Sequence, residues 1–150
     1  MKTAQQGNYK AIQENNILLI DMKGPFCEIV IKRYKEEMIE LCDNLQQSHW
    51  GSVITYYGNN VFSPEDEQLL IELTRYREES NMIANATVII NSNNADLQQM
   101  QLRRIYQATN ITFHVFSDIN SAKEWLADYL ALPHIQPSAQ KNINKYIANS

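Results

Sequence analysis

Short apolar runs rich in β-branched and aromatic residues alternate along this chain with longer segments of helical periodicity. Three such runs are "SVITYY" (52–57), "ATVIIN" (86–91) and "TFHVF" (112–116). Each has the length and composition of a buried strand. Strands that alternate with helices are joined by crossover connections, which favour parallel pairing with helices packed on the sheet. The alternation therefore predicts an α/β fold with a mostly parallel sheet.

The beginning of the chain departs from this alternation. Two short strands, Tyr9–Ile12 and Ile17–Lys23, flank the turn-forming residues 14–16, and Gly24 and Pro25 end the extended segment. This pattern predicts a β-hairpin whose first strand is an antiparallel edge of the sheet. The predicted order is then β-β-α-β-α-β-α-β-α.

Four segments show the spacing of amphipathic helices. They are residues 27–47, 65–81, 96–108 and 121–130. In the third helix, we expect the apolar residues to face the core: Leu97, Met100, Leu102, Ile105 and Tyr106. Two N-caps compete for the fourth helix, either Asp118 or a capping box of Ser121 with Glu124.

Length and charge limit the class of protein. The length of 150 residues and the 44% hydrophobic composition predict a single domain, residues 1–132. A polar tail, residues 133–150, begins at Pro133, and its sequence is compatible with a short helix. The net charge of -4 argues against non-specific binding to nucleic acid. No apolar run approaches the roughly 18 residues that span a bilayer, and the first residues lack the apolar region of a signal peptide. We expect a cytoplasmic protein.

The two cysteines, Cys27 and Cys42, are predicted to be reduced thiols. On one helix they would lie about 22 Å apart, too far for a disulfide. Cys27 and Arg33 have the Cys-x5-Arg spacing of cysteine-dependent phosphatases. The residues between them are bulky and include Glu28, which would repel a phosphate. A Cys27 phosphatase is therefore a remote alternative.

Other catalytic patterns are missing from the sequence. His49, His114 and His134 lie in different segments, without the spacing of metal ligands. No glycine-rich phosphate-binding motif occurs. We therefore predict no catalytic residues, no metal and no cofactor.

Polar residues follow two of the predicted strands. They are Asn59, Asn60 and Ser63 after the first run, and Asn91, Ser92, Asn93 and Asn94 after the second. In open parallel sheets, ligands bind beyond the carboxyl ends of the strands, close to helix N-termini. Turns and helix caps favour the same residue types. These seven residues are the candidate site for a ligand or a partner, with an ordinary turn as the competing interpretation.

Ser63 lies in "NNVFSPEDEQLL" (59–70) and has the features of an N-cap. Pro64 follows it at the first helical position, and acidic residues fill the first turn. This pattern predicts helix initiation. A catalytic serine would instead require a strained Gly-x-Ser-x-Gly turn, which is absent.

The chain from about Tyr9 to Leu130 resembles the STAS-like fold of bacterial anti-sigma-factor antagonists, in particular a divergent antagonist-like branch. The resemblance rests on the hairpin, the β-α alternation and the ending "HVFSDINSAKEWLADYL", with Phe116, Asp118, Ala122 and Trp125-Leu126. It implies a regulatory module without catalysis.

The same resemblance implies that Ser63 is the positional match of a serine that a partner kinase phosphorylates. That family pattern is Asp-Ser-Ser/Thr-Gly, whereas this chain has Phe62-Ser63-Pro64-Glu65. The neighbouring acidic side chains would also oppose a phosphate.

The preferred hypothesis is a cytoplasmic regulatory or protein-interaction module whose contact surface is the 58–64 loop with the start of the next helix. The alternative is a sensor for a small nucleotide-like or lipid-like ligand at the asparagine-rich loops. Pairing of edge strands would make a homodimer. We expect the partner to be either a second copy of this chain or a different protein.

Overall fold

The computed structural model describes residues 9–24, 26 and 28–133. Within this part of the chain, the strands are β1 (Tyr9–Glu14), β2 (Ile17–Lys23), β3 (Trp50–Tyr57), β4 (Met82–Ile90) and β5 (Thr112–Phe116). The helices are α1 (Glu28–Leu45), α2 (Pro64–Glu79), α3 (Ala95–Gln107) and α4 (Ile119–Ala131). The predicted α/β class and element order are confirmed. Cys27 and the tail from residue 134 lie outside the described residues.

The five strands form one mixed sheet in the order β1-β2-β3-β4-β5. β1 pairs antiparallel with β2, and the remaining neighbours are parallel. Asn15 turns the hairpin with a positive φ of 55°, a conformation that asparagine adopts more readily than most residues. The predicted antiparallel edge strand is therefore confirmed.

The helices are divided unequally between the two faces of the sheet. The parallel strands advance in one direction, so right-handed crossovers bring α1, α2 and α3 to the same face. The larger core lies there, and its fully buried side chains include Tyr34 and Met38 of α1, Leu73 of α2 and Ile105 of α3.

α4 covers the opposite face, over β3 and β4. It approaches closely because the strands present small residues there, including Gly51, Ala84 and Ala86. A Cβ at Gly51 would lie 2.6 Å from Leu126 Cδ1, so the glycine permits the approach.

The predicted core face of α3 is wrong at its N-terminal end. Leu97 and Met100 are 39% and 49% exposed, whereas Gln98 and Gln101 are buried. The Gln101 side chain bonds both backbone groups of Phe62, accepting from its N at 2.9 Å and donating to its O at 2.9 Å. Because these buried glutamines are paired, burying them costs little. The polar connection after β3 therefore sets the rotation of α3.

Of the two predicted N-caps of α4, the structure shows Asp118. Its carboxylate accepts hydrogen bonds from Ser121 N and Ser121 Oγ, both at 2.8 Å. The hydrogen bonds to Ser121 lower the pKa of Asp118 below its usual value.

Candidate functional site

The two polar loops expected at the carboxyl edge of the sheet lie side by side. The Asn59 carboxamide oxygen accepts from Ser92 Oγ at 3.1 Å and from Asn93 N at 2.8 Å. Between the loop backbones, Gly58 N donates to Ile90 O at 2.8 Å. Parallel pairing of β3 with β4 brings these strand ends together, as the topology requires.

Most of the polar atoms in this cluster serve the loops themselves. Ser92 Oγ also bonds Gln98 Oε1 and accepts from Asn94 N at 3.0 Å. Asn91 adopts a positive φ of 56° at the end of β4. The side chains of Asn91, Asn93 and Asn94 are exposed. Binding of a ligand at this edge therefore stays a prediction that concerns mainly these three side chains.

Asn60 is buried, and its side chain holds the loop after β3 in place. Its amide nitrogen donates to Tyr57 O at 3.0 Å and Gly58 O at 3.1 Å. Among the described residues no group bonds its oxygen, which lies against Gly24, where a Cβ would stand only 2.3 Å away. Any direct contact of this loop with a partner thus involves its neighbours, and Asn60 supports them.

Ser63 is the N-cap of α2, so the capping prediction is confirmed. Its backbone is extended, with φ -68° and ψ 162°, and its hydroxyl accepts from Asp66 N at 3.1 Å. The residue is exposed at the surface. Phosphorylation of Ser63 stays a prediction.

A groove between α1 and α2 begins directly beside Ser63. It is a shallow, open groove of about 420 Å³, lined by Lys32, Pro64, Glu65, Gln68, Leu69 and Glu72. An ion pair of 2.7 Å between Lys35 and Glu72 links the two helices. Ile29, on the turn of α1 before Lys32, is 69% exposed. The sequence analysis did not predict this groove. The signal was Ile29, an apolar residue that does not share the core-facing side of the amphipathic helix α1.

The described residues show no arrangement typical of catalysis. No group of three or more metal-binding side chains occurs among residues 9–24, 26 and 28–133. Burial raises the pKa of the Cys42 thiol to about 11, which keeps it protonated at neutral pH. His114 is exposed on β5 and packs edge-on against Trp125. The phosphatase alternative depends on Cys27, which lies outside the described residues.

Searches against protein-family models, curated proteins and solved structures returned no match to this chain. Within the described residues, no helix has both the length and the apolar character needed to cross a membrane.

Proposed function

We propose that this domain is a non-catalytic regulatory module of the STAS-like type, which binds a protein partner through the α1–α2 groove and the adjoining Ser63 loop. The observation that carries the proposal is the groove itself, because it lies open beside the loop that the sequence marks as a contact surface. The antiparallel hairpin and the helix order of the fold support the resemblance.

The chemistry of the groove suits a side chain of another protein. Pro64 and Leu69 provide apolar surface within it, and exposed Ile29 adjoins it on α1. Its rim carries both charges, because Glu65 and Glu72 stand beside Lys32, and Lys35 pairs with Glu72. Interfaces commonly combine an apolar centre with a polar rim, and complementary charge guides association. The partner segment would therefore present an apolar residue flanked by polar or charged side chains.

Ser63 gives this surface a means of regulation. A phosphate there would add about -1.5 to -2 charges next to the acidic first turn of α2. A basic partner would be attracted, whereas the neighbouring Glu65 would oppose the modification itself. The two effects act on different steps, binding and phosphorylation, and are separable by experiment.

A second candidate function is binding of a small nucleotide-like or lipid-like ligand at the loops after β3 and β4. It is favoured by the exposed side chains of Asn91, Asn93 and Asn94, which surround the start of α3. It predicts thermal stabilisation by one member of a ligand panel, by about 2.7 kcal/mol at a hundredfold excess over the dissociation constant. No stabilisation by any member would count against it.

Photo-cross-linking in cells of the source organism tests the preferred function. A benzophenone amino acid at Gln68, in the groove, should give one adduct of defined mass. The same amino acid at Lys123, exposed on α4 across the sheet, is the control and should not give that adduct. Leu69→Glu should abolish the Gln68 adduct while leaving the fold intact. An adduct that survives Leu69→Glu, or appears equally from Lys123, would contradict the groove as binding surface.

A further inference from the structure

The strand β5 carries none of the usual edge protection in its own sequence. Among the described residues no strand pairs with this edge, since β5 ends the sheet. Its sequence, Thr-Phe-His-Val-Phe, contains no Lys, Glu, Asp or Pro. Proteins normally protect such edges with charges, prolines or bulges. β1, the opposite edge, carries Lys10 and Glu14.

Aromatic contacts on both faces hold β5 in place. On the α3 side, Phe113 stacks on Tyr106 with centroids 4.8 Å apart, and Arg103 lies over its ring. On the α4 side, His114 meets Trp125 at 4.9 Å. Because the strand is fixed before any partner arrives, little conformational entropy would be lost on pairing.

We infer that β5 pairs antiparallel with β5 of a second copy, around a two-fold axis at His114, so that one sheet continues through both molecules. This register places Phe113 opposite the second copy's Val115 on one face, and Thr112 opposite Phe116 on the other. Cross-strand pairs of this kind stabilise sheets.

Charge is compatible with the same register. The nearest charged residue in sequence, Asp118, would lie across from the second copy's Asn110, so no like charges oppose each other along the paired strands. A closed two-fold contact of this kind is the commonest arrangement of homo-oligomers.

The size of the contact sets the expected affinity. Five residues of strand span about 17 Å. With the adjoining helix layers about 10 Å away on each side, the contact covers roughly 350 Å² on each copy. The two copies together would bury about 700 Å², which lies below the usual range of stable complexes, so we expect a weak dimer with a micromolar dissociation constant.

This inference goes beyond the proposed function and does not depend on it. The groove lies between α1 and α2, whereas β5 pairs with β4 at the far edge of the sheet beside α3 and α4. Variants of β5 therefore leave the groove unchanged, and either proposal can fail alone.

Sedimentation velocity of the full chain across the micromolar range tests the pairing. Because the two-fold axis passes through residue 114, this residue lies opposite residue 114 of the second copy. His114→Glu and His114→Lys should each weaken the dimer about tenfold or more through like-charge repulsion. An equimolar mixture of the two variants should restore it, since Glu then faces Lys. Gln13→Glu, on the β1 edge, is the matched control and should dimerise like the wild type.

Three outcomes would overturn the inference: a monomeric wild type throughout the range, a dimer indifferent to both His114 variants, or no recovery in the mixture. Should a charged variant not fold, His114→Cys in a Cys27→Ser/Cys42→Ala background replaces it. Mild oxidation should then join two copies, whereas Gln13→Cys in the same background should stay uncoupled. Absence of the 114 cross-link would contradict the register.

Discussion

Arg77 carries a charge in the core without a carboxylate beside it. The residue is 2% exposed, and its Nη2 donates to the Tyr34 hydroxyl at 2.7 Å. Its Cζ lies 5.6 Å from the centroid of the same ring, a cation–π geometry. Among the described residues, no carboxylate lies within ion-pair distance of it. The last turn of α2 adds the partial negative charge of a helix C-terminus. The phenol and the helix end thus take the place of a counter-ion.

Replacing Arg77 by Met should lower the free energy of unfolding by about 1–3 kcal/mol, because the buried Tyr34 hydroxyl loses its partner. Adding Tyr34→Phe to this variant should recover part of the loss, since the Tyr34 hydroxyl is then removed together with its partner. Urea denaturation of the two single variants and the double variant measures the coupling. A double variant whose losses simply add would contradict this account of the pair.

Cys42 makes stability depend on alkaline pH. Its folded pKa is about 11 because of burial, against about 8.5 for a thiol in an unfolded chain. Below pH 8.5 both states are protonated and the contribution is complete. Above that pH the unfolded chain loses its proton first, so the free energy of unfolding falls by up to about 1.4 kcal/mol per pH unit until the folded pKa is reached.

Urea denaturation at pH 8 and pH 9.5 should show this fall in the wild type, and a smaller one in Cys42→Ala. The interval ends below the pKa of about 10 of a tyrosine in an unfolded chain, which limits the tyrosine contribution; this matters because burial also raises the pKa of Tyr56 and Tyr106. Equal slopes for the two proteins would show that Cys42 does not carry the effect.

At the scale of elements, the N-caps of α2 and α3 differ in a testable way. The Ser63 hydroxyl accepts a hydrogen bond from the first turn of α2, whereas the Asn94 side chain makes no such bond to α3. Ser63→Ala should therefore lower the free energy of unfolding by about 1 kcal/mol. Asn94→Ala is the matched control and should cost much less. Equal losses in chemical denaturation would contradict the assignment of Ser63 as the functioning cap.

Sequence periodicity predicted these elements well where the signal is local. The hairpin, the cap at Ser63 and the strand Thr112–Phe116 depend on neighbouring residues, and the structure agrees with all three. The core face of α3 was wrong because it depends on Gln101, whose partner Phe62 is 39 positions away. No local pattern reports such a pairing.

At the scale of the whole molecule, topology explains which parts of the candidate site were predictable. That the loops after β3 and β4 would meet followed from parallel pairing alone. That Asn59 and Ser92 would bond each other did not, because it depends on side-chain positions. The groove also escaped prediction, since it is lined by residues of two helices that are distant in sequence. The STAS-like assignment stays a prediction at this scale.

The two surfaces that we propose for binding lie on different parts of the fold. The α1–α2 groove lies on the helical layer formed by α1, α2 and α3, whereas β5 is the last strand of the sheet. A partner in the groove and a second copy at β5 would not compete. The expected assembly is therefore a dimer in which each copy keeps its groove accessible.

Native mass spectrometry of protein gently purified from its own cells tests the central claim, that the domain acts by binding a protein in the groove. We predict that a second polypeptide accompanies the wild type, is lost on denaturation, and is absent from a folded Leu69→Glu variant purified in parallel. The contradicting result is a small-molecule mass on both proteins, or the same second polypeptide on both, since either would place the binding function outside the groove.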